Sequence, residues 1–131
     1  MYTLGISAFY HDSSICLLKN EEIIFACQEE RLSRIKFDSS FPKKSIKSCL
    51  NFIKIRPDQI NAVVFYEKPF LKFERIFETY LAFAPRGFKQ FKKSFPLWIK
   101  DKLFLKKKIL NELIDLFGKN NWNQKIFFSE H

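Results

Sequence analysis

Leu4-Gly5-Ile6-Ser7-Ala8-Phe9-Tyr10-His11-Asp12-Ser13-Ser14-Ile15-Cys16-Leu17-Leu18 reads as a strand, a turn of small and polar residues with a His-Asp pair, and a second strand. The first strand is expected over Thr3–Ala8 and the second over Ser13–Leu18, joined as a tight hairpin. Lys19-Asn20-Glu21-Glu22 supplies a polar turn, and Glu22–Gln28 is the third strand. Ile15–Leu18 and Ile23–Cys27 are continuously apolar, which predicts a sheet covered on both faces. A helix to cover it follows: Ile46, Cys49, Leu50 and Ile53 fall at i, i+3, i+4 and i+7. Pro42 suits its start, where a residue has no intrahelical N–H bond to lose.

The charged stretch from Glu29 to Lys36 reads as a connecting loop or short helix, with Glu29, Glu30 and Arg31 solvated or ion-paired. Pro57-Asp58-Gln59 then opens another strand, Ile60–Tyr66. Strand, strand, strand, helix, strand is how a ribonuclease H-like α/β mixed sheet begins, an order other mixed sheets share. From Lys68 to Phe117 no strand appears, and apolar residues recur near helical spacing. Pro85, Gly87 and Pro96 predict a break into three or four short helices. The last has the clearest face, Ile109, Leu110, Leu113, Ile114 and Phe117, with Gly118 placed to close it. A strand, Ile126–Ser129, returns before His131. The organisation is thus one incomplete domain: sheet and helix over 1–67, a helical insertion over 68–118, and a returning strand over 125–131.

The 131 residues allow a single domain, and 47% hydrophobic with 18% aromatic content excludes a disordered chain. No apolar run approaches the ~20 residues that span a bilayer, and the N-terminus lacks the parts of a signal peptide. Cys16, Cys27 and Cys49 are odd in number and widely spaced, and read as buried free thiols in a reducing cytoplasm. The net charge of +9 belongs to one segment: Lys68–Lys108 holds twelve basic and three acidic residues. With Phe70, Phe73, Phe83, Phe88, Phe91, Phe95, Trp98 and Phe104 interleaved, that segment could bind nucleic acid or an anionic surface. A solvated basic face over a Phe core is the preferred reading, so a nucleic-acid partner is not expected.

The opening turn has the chemistry of a site. Small residues let a ligand approach the backbone, and the hydroxyls of Ser7, Ser13 and Ser14 with turn N–H groups can hold phosphate oxygens. The His11 imidazole could take a proton from a hydroxyl, while Asp12 could orient a neighbour or hold a cation. His131 is a candidate metal ligand with no partner at ligand spacing.

Several blocks together resemble the N-terminal part of the NodU/CmcH carbamoyltransferases. They are Leu4-Gly5-Ile6-Ser7 with His11-Asp12-Ser13-Ser14, Cys27-Gln28-Glu29-Glu30-Arg31-Leu32-Ser33-Arg34, and Phe37-Asp38-Ser39-Ser40-Phe41-Pro42. Val64-Phe65-Tyr66-Glu67-Lys68-Pro69 and Ser129-Glu130-His131 complete the set, in register over the whole chain. The resemblance implies an ASKHA-type N-terminal domain that transfers a carbamoyl group to a sugar-like or secondary-metabolite hydroxyl. A YrdC-like domain would make the carbamoyl-adenylate from carbamoyl phosphate and ATP. His11 then matches the catalytic histidine, and His131 the first ligand of a motif for a divalent or ferric metal ion. The second histidine of that motif, a later Asp ligand, most of the nucleotide pocket and the YrdC-like domain have no counterpart here. The expectation is therefore a cytoplasmic enzyme fragment, inactive alone, from a truncated frame or a split gene whose product is the missing C-terminal half.

Overall fold

The computed structural model describes residues 1–66, 78–79, 81–82, 86 and 88–129. Five strands form one sheet: β1 (Tyr2–Ser7), β2 (Ser14–Lys19), β3 (Glu22–Gln28), β4 (Ile60–Tyr66) and β5 (Ile126–Ser129). Their order is β3-β2-β1-β4-β5, with β1–β2 and β2–β3 antiparallel and β1–β4 and β4–β5 parallel. Each parallel step needs a crossover. Helix α2 (Lys43–Ile53) lies in the first and α3 (Phe88–Phe117) in the second, while α1 (Glu30–Ser33) and α4 (Trp122–Lys125) are single turns.

Alternation along the strands sets the core. Leu4, Ile6, Ile15, Leu17, Val63, Phe65 and Ile126 point to one face, where they bury against Ile46, Cys49 and Leu50 of α2 and Ile109 and Leu113 of α3. Trp122 of α4 is fully buried and donates through Nε1 to Gly118 O at 3.2 Å. Gly118 closes α3 as expected, at φ 82°, with its N–H donating to Ile114 O at 2.7 Å. Lys43 ties the two helices through Glu112 at 2.7 Å and Asp115 at 3.1 Å, and these carboxylates hold its ammonium above its usual range.

Three expectations are corrected. Among the described residues the sheet is covered on one face only: α2 and α3 lie on one side and the other stays open. Ile23 and Phe127 on the two edge strands are 64% and 53% exposed. An apolar run records composition as well as burial, and this chain is rich in Ile and Phe. Pro96 does not end a helix, because α3 runs unbroken through it for 30 residues. The lost hydrogen bond, worth up to ~3 kcal/mol, is outweighed by the turns on either side, which propagate cooperatively. The β1–β2 connection is not tight either: Ser7 pairs with Ser14, leaving residues 8–13 as a loop. Residues 67–77, 80, 83–85, 87, 130 and 131 lie outside the described residues, and with them much of the expected insertion, including its breaks at Pro85 and Gly87. No helix among the described residues is long and apolar enough to cross a membrane.

Candidate functional site

The open face carries a depression of about 730 Å³. Its floor is built from the side chains that point away from the helices, chiefly Gly5, Cys16, Ala26 and Val64. Its polar groups gather at one end: Ser7, Tyr66 and Ser129 close β1, β4 and β5, opposite Ser14, Gln28 and Arg31. The carboxyl ends of parallel strands are where open α/β sheets hold ligands, since the chain leaves the sheet there and exposes loops and hydroxyls. Gly5 has an ordinary extended backbone, and a Cβ built on it would meet Cys16 O at 3.5 Å. Neither backbone conformation nor strand packing demands glycine. Its effect is to lower the floor, the use of strand glycine where something approaches the backbone closely.

The loop bearing His11 and Asp12 springs from the Ser7–Ser14 pair at this end. His11 Nδ1 lies 3.3 Å from Asp12 Oδ2, and the two side chains are 64% and 36% exposed. Phe9 and Asp12 take left-handed backbone conformations, φ 74° and 45°, which cost energy for residues with a Cβ. Contacts outside the loop hold it there. Phe9 N–H donates to Ser39 O, Ser13 N–H to Asp38 O, and Glu29 N–H to Ser13 O, each at 2.8 Å. The Phe9 ring stacks on Phe41 and Phe65, under the Lys108 ammonium 3.9 Å from its centroid.

Asp38, buried beside this loop, accepts from Ser40 Oγ at 2.6 Å and Ser40 N–H at 2.9 Å. The Ser40 hydroxyl first, then that of Ser33 and the Ser40 N–H, hold its carboxyl below the usual range.

The structure thus brings Ser7, Ser14, His11 and Asp12 to one end of the sheet. Ser13 is buried, its Oγ without a hydrogen-bond partner, and it does not line the depression. His131 lies outside the described residues, and among the described residues no three His, Cys, Asp or Glu side chains could hold a metal ion. Sequence reasoning missed Arg31, Gln28, Tyr66 and Ser129 as lining residues. It also took Glu29 as solvated or ion-paired, whereas Glu29 is 3% exposed and accepts from backbone groups, Lys44 N–H at 3.0 Å and Ser45 N–H at 2.8 Å. The signal was in α2, whose cap residue Pro42 has no side-chain acceptor and whose first turn has no acidic residue. Of the basic segment, Lys89, Lys92, Lys93, Lys107 and Lys108 are exposed along α3, as a solvated face requires.

A sheet ordered 3-2-1-4-5, antiparallel on one side of β1 and parallel on the other, with helices in both crossovers, defines a ribonuclease H-like α/β lobe. The family model for the N-terminus of carbamoyltransferases matches residues 2–131, and the chain belongs to that family. Among curated relatives, the uncharacterized protein sll1178 of Synechocystis is 47% identical over 133 residues, 99% of this chain and 21% of that protein. The nodulation protein NolNO of Sinorhizobium fredii is 33% identical over 60 residues, 46% of this chain and 9% of that one. The uncharacterized protein MJ1051 of Methanocaldococcus jannaschii is 47% identical over 53 residues, 40% and 10% of the two chains. The chain therefore spans about a fifth of the length of the first relative and its match about a tenth of the others. Among solved structures, the activator of the 2-hydroxyisocaproyl-CoA dehydratase from Clostridium difficile with bound ADPNP matches 50% of this chain and 24% of its own. Its TM-score of 0.40 at 22% identity is too slight to add to the topology.

Proposed function

We propose that this chain is the N-terminal part of an O-carbamoyltransferase, in which the open end of the sheet carries the group that activates the acceptor hydroxyl. The observation that supports it best is the exposed His11–Asp12 pair on a strained loop, which leaves the sheet at Ser7 and Ser14, two residues that line the depression, in a carbamoyltransferase N-terminus. Asp12, 3.3 Å from Nδ1, orients the imidazole so that Nε2 faces outward as the base. The acceptor oxygen attacks the carbamoyl carbon as its proton passes to His11, and adenylate leaves with the electrons of the carbamoyl–phosphate bond. Ser7, Ser14 and Arg31 supply donors for phosphate oxygens, Arg31 with a planar fork suited to them. Carbamoyl phosphate and ATP are the proposed donors, a sugar-like or other secondary-metabolite hydroxyl the acceptor, and the cytoplasm the compartment. A divalent or ferric ion has no fitting set among the described residues, and no step here passes through one.

The test is a chimaera in which this chain replaces the aligned segment of the Synechocystis relative, assayed for carbamoyl transfer to a panel of hydroxyl acceptors. His11→Asn should slow transfer by roughly 10²–10⁴-fold while ATP–pyrophosphate exchange persists. Equal loss of both activities, following a lowered melting temperature, would overturn the assignment.

A further inference from the structure

Glu29 is a buried carboxylate to which the proposed chemistry gives no part. Burying it is costly unless its oxygens are satisfied, and here each accepts one backbone N–H from the first turn of α2. The positive end of the helix dipole adds to that stabilisation. A Ser or Asp at position 42 could cap α2 locally, but Pro42 offers no acceptor and the cap comes from a residue fifteen positions earlier than Lys44. The consequence is a mechanical link. Glu29 N–H holds Ser13 O, Ser13 N–H holds Asp38 O, and the Glu29 side chain is fixed to α2. Asp12, at φ 45°, sits between this anchor and His11.

We infer that Glu29 is a positioning residue, which ties the His11–Asp12 loop to the N-terminus of α2 and holds the imidazole at the open end of the sheet. The kinetic part rests on the carbamoyl-transfer reading, and the geometric part does not. Removing the carboxylate frees Ser13, relaxes the loop from its left-handed conformations, and moves His11 out of line with the acceptor. Misplacement by about 1 Å is worth up to roughly 100-fold in rate.

The chimaera with the Synechocystis relative supplies both readouts, hydrogen exchange over residues 8–13 and steady-state carbamoyl transfer. Glu29→Ala should speed exchange of that loop by about tenfold or more, with β1 and β4 unchanged. It should lower kcat roughly 10–100-fold with KM for ATP and carbamoyl phosphate unaltered. Glu29→Gln keeps one accepting oxygen and should fall between, and it carries the test where Glu29→Ala does not fold. Lys43→Ala is the control: it removes the α2–α3 ion pairs and lowers the melting temperature without touching the loop. Wild-type exchange over residues 8–13 in both Glu29 variants would overturn the inference. So would a kcat loss that Lys43→Ala reproduces at the same loss of melting temperature. If His11→Asn leaves transfer intact, the catalytic reading falls, and the exchange result alone decides the role of Glu29.

Discussion

Leu4 and Gly5 are neighbours in β1 that face opposite ways, and the two sides of the sheet differ as they do. On the helix side, Leu4, Ile6, Leu17, Val63 and Phe65 are 0–2% exposed and meet the apolar stripes of α2 and α3. On the open side, Gly5, Ser7, Ser14, Cys16, Val64 and Tyr66 are only partly buried and surround a depression. One strand can serve both because successive side chains point to opposite faces. The helix side supplies the burial that holds the fold, leaving the other side for small and polar residues that stabilise little.

This division predicts unequal responses to the same change. Phe65→Ala should cost ~3–5 kcal/mol, since the ring is fully buried against Phe9 and Phe128. Phe127→Ala, 53% exposed on the open side, should stay within ~0.5 kcal/mol. Urea unfolding of both variants decides it, and comparable losses would mean that the open side is packed too.

Acid should weaken the loop region next. The Asp38 carboxyl is held below its unfolded value, so its contribution is present above about pH 4 and is lost as pH falls through the folded pKa. Asp38→Asn should therefore flatten the fall of melting temperature below about pH 4. An unchanged profile would remove Asp38 from the account.

The smallest effect is a labelling rate. Burial, with the neighbouring Cys16 and Cys27 thiols, pushes Cys49 up to about 11, so at pH 8 little thiolate is available. Iodoacetamide should modify Cys49 under α2 more slowly than Cys16 or Cys27, which line the depression. The reverse order, read by peptide mass, would place the access on the wrong side.

Most of the sheet could be read in the sequence because alternation and turn residues are local signals. The five strands fall within one residue of where those signals put them, and the end of α3 and the Gly118 closure fall as expected. The reading failed where the deciding partner was distant or the rule was a single-residue one. Pro96 signals a break only in isolation, and α3 has long flanks on both sides. Glu29 looked solvated or ion-paired in a charged block, because the N–H donors of Lys44 and Ser45 arrive only after the chain turns back. The site was half legible. The His11–Asp12 loop is contiguous, but Arg31, Tyr66 and Ser129 join it only through the strand order.

The central claim is that the open side, with Gly5 at its floor, is the side that works. Gly5→Val in the chimaera puts a branched side chain into the depression at a position whose backbone accepts it and whose Cβ meets only ordinary contacts. Strands favour valine, so the melting temperature should hold or rise slightly. Carbamoyl transfer should nonetheless fall by roughly 100-fold as the filled floor displaces the reacting group. Full activity in a folded Gly5→Val chimaera would contradict the account.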